Sequence, residues 1–479
     1  MNPLLMWILI SLALMVLLVL LSIRLFKRWR IKKIDIRMEG LETYIDSLKS
    51  WKPEGKLPNI IIILTDDMGY EDISCFGASA IKTPNIDKIA EEGVIFTNFY
   101  SSSPICSPSR AGLLTGRYPI RAHVPTVFIP SASRLSFLAS LFLYSYGMDG
   151  MAMDEITLGE ILQAIGYKTA LIGKWHLGDQ EPFLPNNKGF DFFYGAHYSN
   201  DMDPYEIYRN KEVDLPAPVN QDLLTNHLTK EAIDFIKKSK EEPFFLYYAQ
   251  PFPHAPLHAS DEFKNMSEAG IYGDCVQEVD GSIGQILEFL EESNQIENTL
   301  IIFTSDNGPW HQGNPGYARG RKGLNYEGGQ RVPFIARWPG KFPAGMKTNV
   351  PSMNIDLLPT ILNLIGVPLP KDRIIDGCSI ENYLTDPNIE KPLSRPLFYF
   401  WNKNIKALRE DNWKYHVKHR SDVSTYVYMK YAPTLYDLEK DPNESYDQTL
   451  HHPHTPEEMA EKIIAFEKEL KENLRGWKK

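Results

Sequence analysis

Apolar and polar positions divide this chain into segments of three kinds. The first is an unbroken apolar run. Between residues 2 and 23 there is no charged side chain, and Leu, Ile, Val, Met, Ala and Trp dominate. At about 1.5 Å per residue such a run is long enough for a bilayer. It has no basic start and no small-residue cleavage site after it, so the expectation is a single-pass transmembrane anchor over residues 1–26, not a signal peptide. A basic stalk and linker over 27–56 follows, closed by the breakers of Trp51-Lys52-Pro53-Glu54-Gly55-Lys56. Lys27, Arg28, Arg30, Lys32 and Lys33 flank the run, and the positive-inside rule then puts the bulk of the chain in the cytoplasm.

The second kind is short, aliphatic and β-branched. Residues 60–64, 169–172, 244–248 and 300–303 read as strands buried on both faces. Helical spacing fills the intervals, most clearly at 84–92, 157–165, 226–238 and 275–291. Strands alternating with helices predict an α/β main domain over 57–370, a large, mixed, mostly parallel sheet sandwiched by helices. Polar residues gather directly after the strands: Asp66 and Asp67, Lys174 and His176, His254, Asp306 and Asn307. Ligand sites in open α/β sheets form beyond the carboxyl ends of strands, so one site can collect all of these groups.

The third kind begins near residue 371. Short strands at hairpin spacing occupy 397–401, 405–409, 413–417 and 435–438. A last helix is expected to start at a capping box, Thr455-Pro456-Glu457-Glu458, with Met459, Ile463, Phe466 and Leu470 on one face. This predicts a small α+β subdomain over 371–479 with an antiparallel sheet and one helix. The apolar stretch 137–146 is too short to span a membrane; it reads as a buried helix or loop, with a membrane-facing lip as the sharper alternative.

The formal charge of -10 over 479 residues argues against nucleic acid as a partner, and an anionic substrate would need a local cationic pocket. Four cysteines (Cys75, Cys106, Cys275 and Cys378) do not suggest a disulfide framework.

Cys106 stands apart. The run Cys106-Ser107-Pro108-Ser109-Arg110-Ala111-Gly112-Leu113-Leu114-Thr115-Gly116 is neither a zinc nor a disulfide pattern. It resembles, without a gap, the sulfatase signature Cys-x-Pro-Ser-Arg-x-x-x-Leu-Thr-Gly. Gly166-Tyr167 through Gly173-Lys174-Trp175-His176 resembles the family's second signature. Lys322-Gly323 through Tyr326-Glu327-Gly328-Gly329 resembles a third segment, with Arg321 in place of the usual small residue. The likeness runs from about residue 59 to 447.

The resemblance implies the fold of the alkaline phosphatase superfamily and a membrane-anchored, arylsulfatase-like enzyme that hydrolyses sulfate monoesters. It implies that a formylglycine-generating enzyme oxidises Cys106 to formylglycine, whose hydrate supplies two hydroxyls, one to attack sulfur and one to expel sulfate. It further implies calcium, with magnesium as the alternative, held by Asp66, Asp67, Asp306, Asn307 and the residue at 106. Such hard oxygen ligands suit Ca²⁺ or Mg²⁺ better than zinc. Lys174 and Lys322 would hold the sulfate, His176 would accept a proton, His254 would bind substrate and donate to the leaving oxygen, and Arg110 would hold the hydroxyl at 106. Many anchored relatives face outward, against the charge rule. A phosphonate or phosphate monoester hydrolase of the same fold is the nearer rival, and an inactive tethered binding protein the more distant one. Aryl, steroid and carbohydrate sulfates all remain open as substrates, with residues 190–208 a candidate pocket wall.

Overall fold

Four aliphatic runs become the centre of a ten-stranded sheet. The structure, a computed structural model, describes residues 3–31, 35–132, 150–389, 393–417 and 433–478; within 3–31 the side chains are described at 5–15, 17–19 and 21–22. The apolar stretch 137–146 lies outside the described residues.

In chain order the strands of the main domain are β1 (Asn59–Thr65), β2 (Val94–Phe96), β3 (Phe99–Tyr100), β4 (Lys168–Gly173), β5 (Phe192–Gly195), β6 (Ile207–Arg209), β7 (Glu212–Leu215), β8 (Phe244–Ala249), β9 (Thr299–Ser305), β10 (Phe334–Arg337), β11 (Met346–Thr348) and β12 (Ser352–Met353). The large sheet has the order β11-β2-β10-β9-β1-β8-β4-β5-β6-β7. Its middle, β9-β1-β8-β4-β5, is parallel throughout, and antiparallel pairs flank it on both sides. This is the mixed, mostly parallel sheet expected from the sequence.

The strict alternation of a strand splits each aliphatic run between two cores. Ile60, Ile62 and Leu64 face one layer with Leu158, Leu162, Leu113 and Leu358. Ile61 and Ile63 face the other with Leu228, Phe235, Val276, Ile283 and Ile86. Helices therefore cover both faces, which is why these strands carry no polar alternation.

Strands β13 (Leu397–Trp401), β14 (Asn404–Glu410), β15 (Trp413–His416) and β16 (Thr434–Asp437) make an antiparallel sheet in sequence order. The helix His454–Glu472 packs Met459, Ile463 and Leu470 against it, with Phe466 stacked on Phe398 at 4.2 Å. The predicted capping box does not form. The helix starts two residues early, with Pro453 at the N-cap and no side-chain cap bond, so Thr455 lies inside the first turn, where its hydroxyl is no longer at the capping position.

The N-terminal expectation is corrected. Among the described residues no helix is long and apolar enough to cross a membrane. The single-pass anchor, the two orientations argued for it and the membrane as a partner are withdrawn. The next helix, Met38–Leu48, buries Tyr44 and Leu48 in the main core, and the Tyr44 hydroxyl donates to the Pro368 carbonyl at 2.7 Å.

Candidate active site

The parallel register brings four strand ends together. Thr65 of β1 pairs with Ser305 of β9, so Asp66-Asp67 and Asp306-Asn307 leave the sheet side by side. On the other flank of β1, β8 leads toward His254 and β4 into Lys174 and His176, and the Lys174 amide donates to the Ala249 carbonyl at 2.8 Å. Cys106 opens the helix Cys106–Thr115, all ten residues of which are buried. Two residues leave the strands through positive φ, Asp67 at 62° and His176 at 64°. Such conformations cost of order 1–3 kcal/mol and cluster at working sites.

All ten residues singled out from the sequence converge here. Asp66, Arg110, Lys174, His176, Asp306 and Asn307 have no exposed surface, while Asp67, Cys106 and His254 are nearly buried. Lys174 Nζ donates to Asp66 Oδ2. Lys322 Nζ donates to Asp67 Oδ2 at 2.7 Å, and Asn307 Nδ2 to Asp67 Oδ1 at 2.7 Å. The Arg110 guanidinium donates through Nε to Asp306 Oδ2 at 3.0 Å and through Nη1 to the Lys174 carbonyl at 2.8 Å. Its Nη2 lies 3.7 Å from Asp66 Oδ2. One arginine thus ties the signature helix to three strand ends.

The charges perturb one another. Burial pushes the Asp66 carboxyl up, but Lys174, His254, Arg110 and Lys322 together outweigh it and hold the group well below the usual range. Asp306 goes the other way: burial and the neighbouring Asp66 charge push it up to about 7 against Arg110 and Lys174. Burial, with Lys174 and Arg110, keeps His176 far below its ordinary value and hence neutral. Burial also lowers His254, opposed by Asp66 and Asp67. For Lys322, burial is outweighed by Cys106, Asp67 and Asp66, and the ammonium is held above its usual range.

The donor set fits a hard divalent cation. Ligand atoms of Asp66, Cys106 and Asp306 lie within 4.8 Å of one another, as do those of Asp66, Asp67 and His254. Asp66 Oδ1 and Asn307 Oδ1 are buried oxygens without a hydrogen-bond partner, and such atoms are rare unless a ligand uses them.

Sequence reasoning missed Asn200. Its Oδ1 accepts from His254 Nδ1 at 2.9 Å, and its Nδ2 donates to the Pro256 carbonyl at 2.9 Å, which fixes the amide's orientation. The proton therefore sits on Nδ1, and Nε2 faces the site, 3.7 Å from Asp67 Oδ2. Only its place within 190–208 hinted at a role. His258 lies outside the centre, bonded to Asp222 at 2.7 Å.

The model of the family described as Sulfatase matches residues 58–367. The chain belongs to the sulfatase family. It is a sulfuric ester hydrolase, cleaving sulfate monoesters to an alcohol and inorganic sulfate. A second family model, N-sulphoglucosamine sulphohydrolase, C-terminal, matches residues 318–474. Human N-acetylgalactosamine-6-sulfatase is 37% identical over 388 residues, covering 75% of this sulfatase and 71% of its own length. Human steryl-sulfatase is 33% identical over 496 residues, with 81% and 83% covered. Among solved structures, the PsFucS1 sulfatase from Pseudoalteromonas sp. superimposes with a TM-score of 0.75 at 29% identity, covering 90% of this chain and 94% of that one.

Proposed function

We propose that this sulfatase works through a formylglycine made from Cys106 and a divalent cation, calcium in preference to magnesium, held by Asp66, Asp67, Asp306, Asn307 and the residue at 106. The observation that carries the reading is the placement of Cys106. It lies at the buried start of the signature helix, with its sulfur within 4.8 Å of carboxylate oxygens of both Asp66 and Asp306. Once formed and bound, these groups supply two hydroxyls on one carbon, for attack on sulfur and release of sulfate, and a Lewis acid that polarises the sulfate.

The chain's own residues do the rest. Lys174 and Lys322 converge from opposite flanks and neutralise the sulfate oxygens where charge builds in the transition state. Arg110, already spanning two carboxylates, orients the oxygen at position 106. His176 is neutral and buried, its Nε2 beside the Phe128 carbonyl at 3.1 Å, so Nδ1 is the atom that takes a proton. His254, held in place through Nδ1 by Asn200, presents Nε2 to the leaving oxygen and would donate there as an imidazolium, a form that the neighbouring Asp66 and Asp67 charges favour.

Sulfated glycans and small sulfate esters are the substrate class, in keeping with the relatives' names, and a formylglycine-generating enzyme is the maturation partner. Mass spectrometry of the peptide bearing residue 106, from the native host, tests the reading. The expected mass is that of formylglycine in a substantial fraction of copies; cysteine in every copy sinks it. Cys106→Ala should abolish turnover and keep the fold. Paired aryl sulfate and aryl phosphate esters should show a clear preference for sulfate.

A further inference from the structure

The Asn200 amide that faces His254 is itself held by a second amide. Asn200 Nδ2 donates to Gln221 Oε1 at 3.1 Å as well as to the Pro256 carbonyl at 2.9 Å, and Gln221 Nε2 donates back to the Asn200 carbonyl at 3.0 Å. The two bonds between Gln221 and Asn200 are reciprocal. Neither amide can turn over without setting donor against donor or acceptor against acceptor. In this orientation Asn200 Oδ1 is the atom left to His254 Nδ1, 2.9 Å away.

Gln221 is half-buried and opens the short helix Gln221–Leu223, whose turn is fixed by the Asp222 amide donating to Asn220 Oδ1 at 3.2 Å. The next residue ties this helix to the His254 loop a second time. Asp222 Oδ1 pairs with His258 Nδ1 at 2.7 Å, and Oδ2 accepts from Lys264 Nζ at 2.9 Å. Lys264 and His258 hold the Asp222 carboxyl below its usual range, so it stays ionised and accepting. Residues 254–258 are therefore gripped at both ends by adjacent residues of one short helix, at His254 through Asn200 and at His258 through Asp222.

We infer that Gln221 is a positioning residue for the departure of the alcohol: by fixing the Asn200 amide it keeps His254 Nε2 aimed at the leaving oxygen, and so sets how fast esters of poorly departing alcohols are cleaved relative to those of easily departing ones. The inference rests on the acid role proposed for His254. As the S–O bond breaks, its electron pair stays on the departing oxygen, which takes the proton from Nε2. An Asn200 amide turned over would place Nδ2 against the Nδ1 proton, driving the ring to rotate or, when neutral, to carry its proton on Nε2 instead. Misplacement by about 1 Å can cost roughly a hundredfold in such a step. The cost falls on alcohols that need the proton, while 4-nitrophenolate departs without it.

The test measures kcat/KM for phenyl sulfates of similar size and falling leaving-group ability: 4-nitrophenyl, phenyl and 4-methoxyphenyl sulfate. Gln221→Ala should lower the value for the 4-methoxyphenyl ester roughly tenfold more than for the 4-nitrophenyl ester. Gln221→Glu keeps an oxygen for Asn200 Nδ2 and should recover part of the difference. Loss of folded protein, or of conversion at residue 106, lowers both esters alike and cancels in the ratio, so a merely structural role leaves the ratio at its wild-type figure. An unchanged ratio in Gln221→Ala, where His254→Ala raises it, overturns the inference. An unchanged ratio in His254→Ala instead sinks the acid role. Positioning is then decided by histidine-selective nitrogen NMR on the inert Cys106→Ala protein. There the neutral His254 ring should carry its proton on Nδ1, and adding Gln221→Ala should move part of it to Nε2; a ring that keeps its Nδ1 proton refutes the inference.

Discussion

Glu155 is the residue whose loss should be felt most clearly in stability without entering the chemistry. It is fully buried, and both its oxygens accept from Arg117 Nη1, at 2.6 and 2.9 Å. Arg475 Nη2 donates to Oε1 at 2.7 Å and to Asp154 Oδ1 at 2.6 Å. Arg117 stands directly after the signature helix, and Arg475 lies near the chain's C-terminal end, so one carboxylate pins the two together. Burial pushes the Glu155 carboxyl up, yet Arg117, Arg475 and Arg373 outweigh it and hold the group down at about 2 from an ordinary 4.5. Burial pulls Arg117 itself down, with Glu155 opposing, but a guanidinium stays charged at any pH of interest.

A depression of roughly 2.5 pH units corresponds to about 3 kcal/mol of stability at neutral pH. The sign follows from the direction. A carboxyl depressed in the fold contributes fully above its unfolded value near 4.5, and the contribution drains away as pH falls toward 2. Glu155→Gln should therefore cost about 3 kcal/mol at pH 7, within the range for breaking one partner of a buried ion pair. By pH 4 the gap to wild type should narrow by about 1 kcal/mol, because the carboxyl of the unfolded wild type takes up a proton near 4.5 while the folded one stays ionised, and the glutamine variant has no such titration. Urea unfolding followed by tryptophan fluorescence at both pH values measures it. Turnover per folded molecule should stay near wild type, since Glu155 bonds none of the groups at the catalytic centre. A gap below about 1 kcal/mol at pH 7, or one that widens on acidification, refutes the reasoning.

Glu444 accepts from the Glu327 amide at 2.6 Å and from His416 at 2.7 Å, and so braces the turn that follows Lys322. Glu444→Ala should lower kcat/KM about tenfold through misplacement of Lys322, with Glu444→Gln recovering part of it, because the amide oxygen still accepts. Calcium added to chelator-stripped protein should raise the thermal midpoint, by an amount equivalent to about 2.7 kcal/mol at a hundredfold excess over its Kd, and Asp306→Ala should erase the rise. Gly173 sits at φ 116°, and a Cβ there would lie 1.9 Å from the Ala249 carbonyl oxygen. Gly173→Ala should therefore strain the β4–β8 pairing and displace Lys174, seen as a lower unfolding midpoint together with a raised KM.

The parts of the site that were legible in the sequence share one property: each lies at the end of an aliphatic run or inside a contiguous motif. Asp66, Asp306 and Lys174 could be placed because a fully buried parallel strand carries an unmistakable pattern and its end is where such sheets bind ligands. Asn200, Glu155 and Glu444 carry no such pattern. Asn200 lies 54 residues from His254 and Glu444 lies 117 from Glu327, and what makes each matter is a partner brought near only by the fold. The capping box at Thr455 failed for a related reason, since the chain turns into the helix two residues early and the motif loses its register. The N-terminal run misled in another way. Hydropathy alone suggested a span that the described residues do not provide.

The charge balance of the centre explains how the proposed chemistry and the fold use the same groups. Asp66 and Asp67 face Lys174 and Lys322, Asp306 faces Arg110 with its carboxyl pushed up to about 7, and His176 is neutral, so the charge of this buried centre is largely compensated. Uncompensated charge there is expensive, so whatever enters must keep the sum near zero. A divalent cation on the carboxylates together with a monoanionic sulfate ester adds one positive charge. An ionised hydroxyl at position 106 removes it. On the proposed reading, Asp66 and Asp67 would hold the cation, and Lys174 and Lys322, which now pair with them, would turn to the sulfate oxygens.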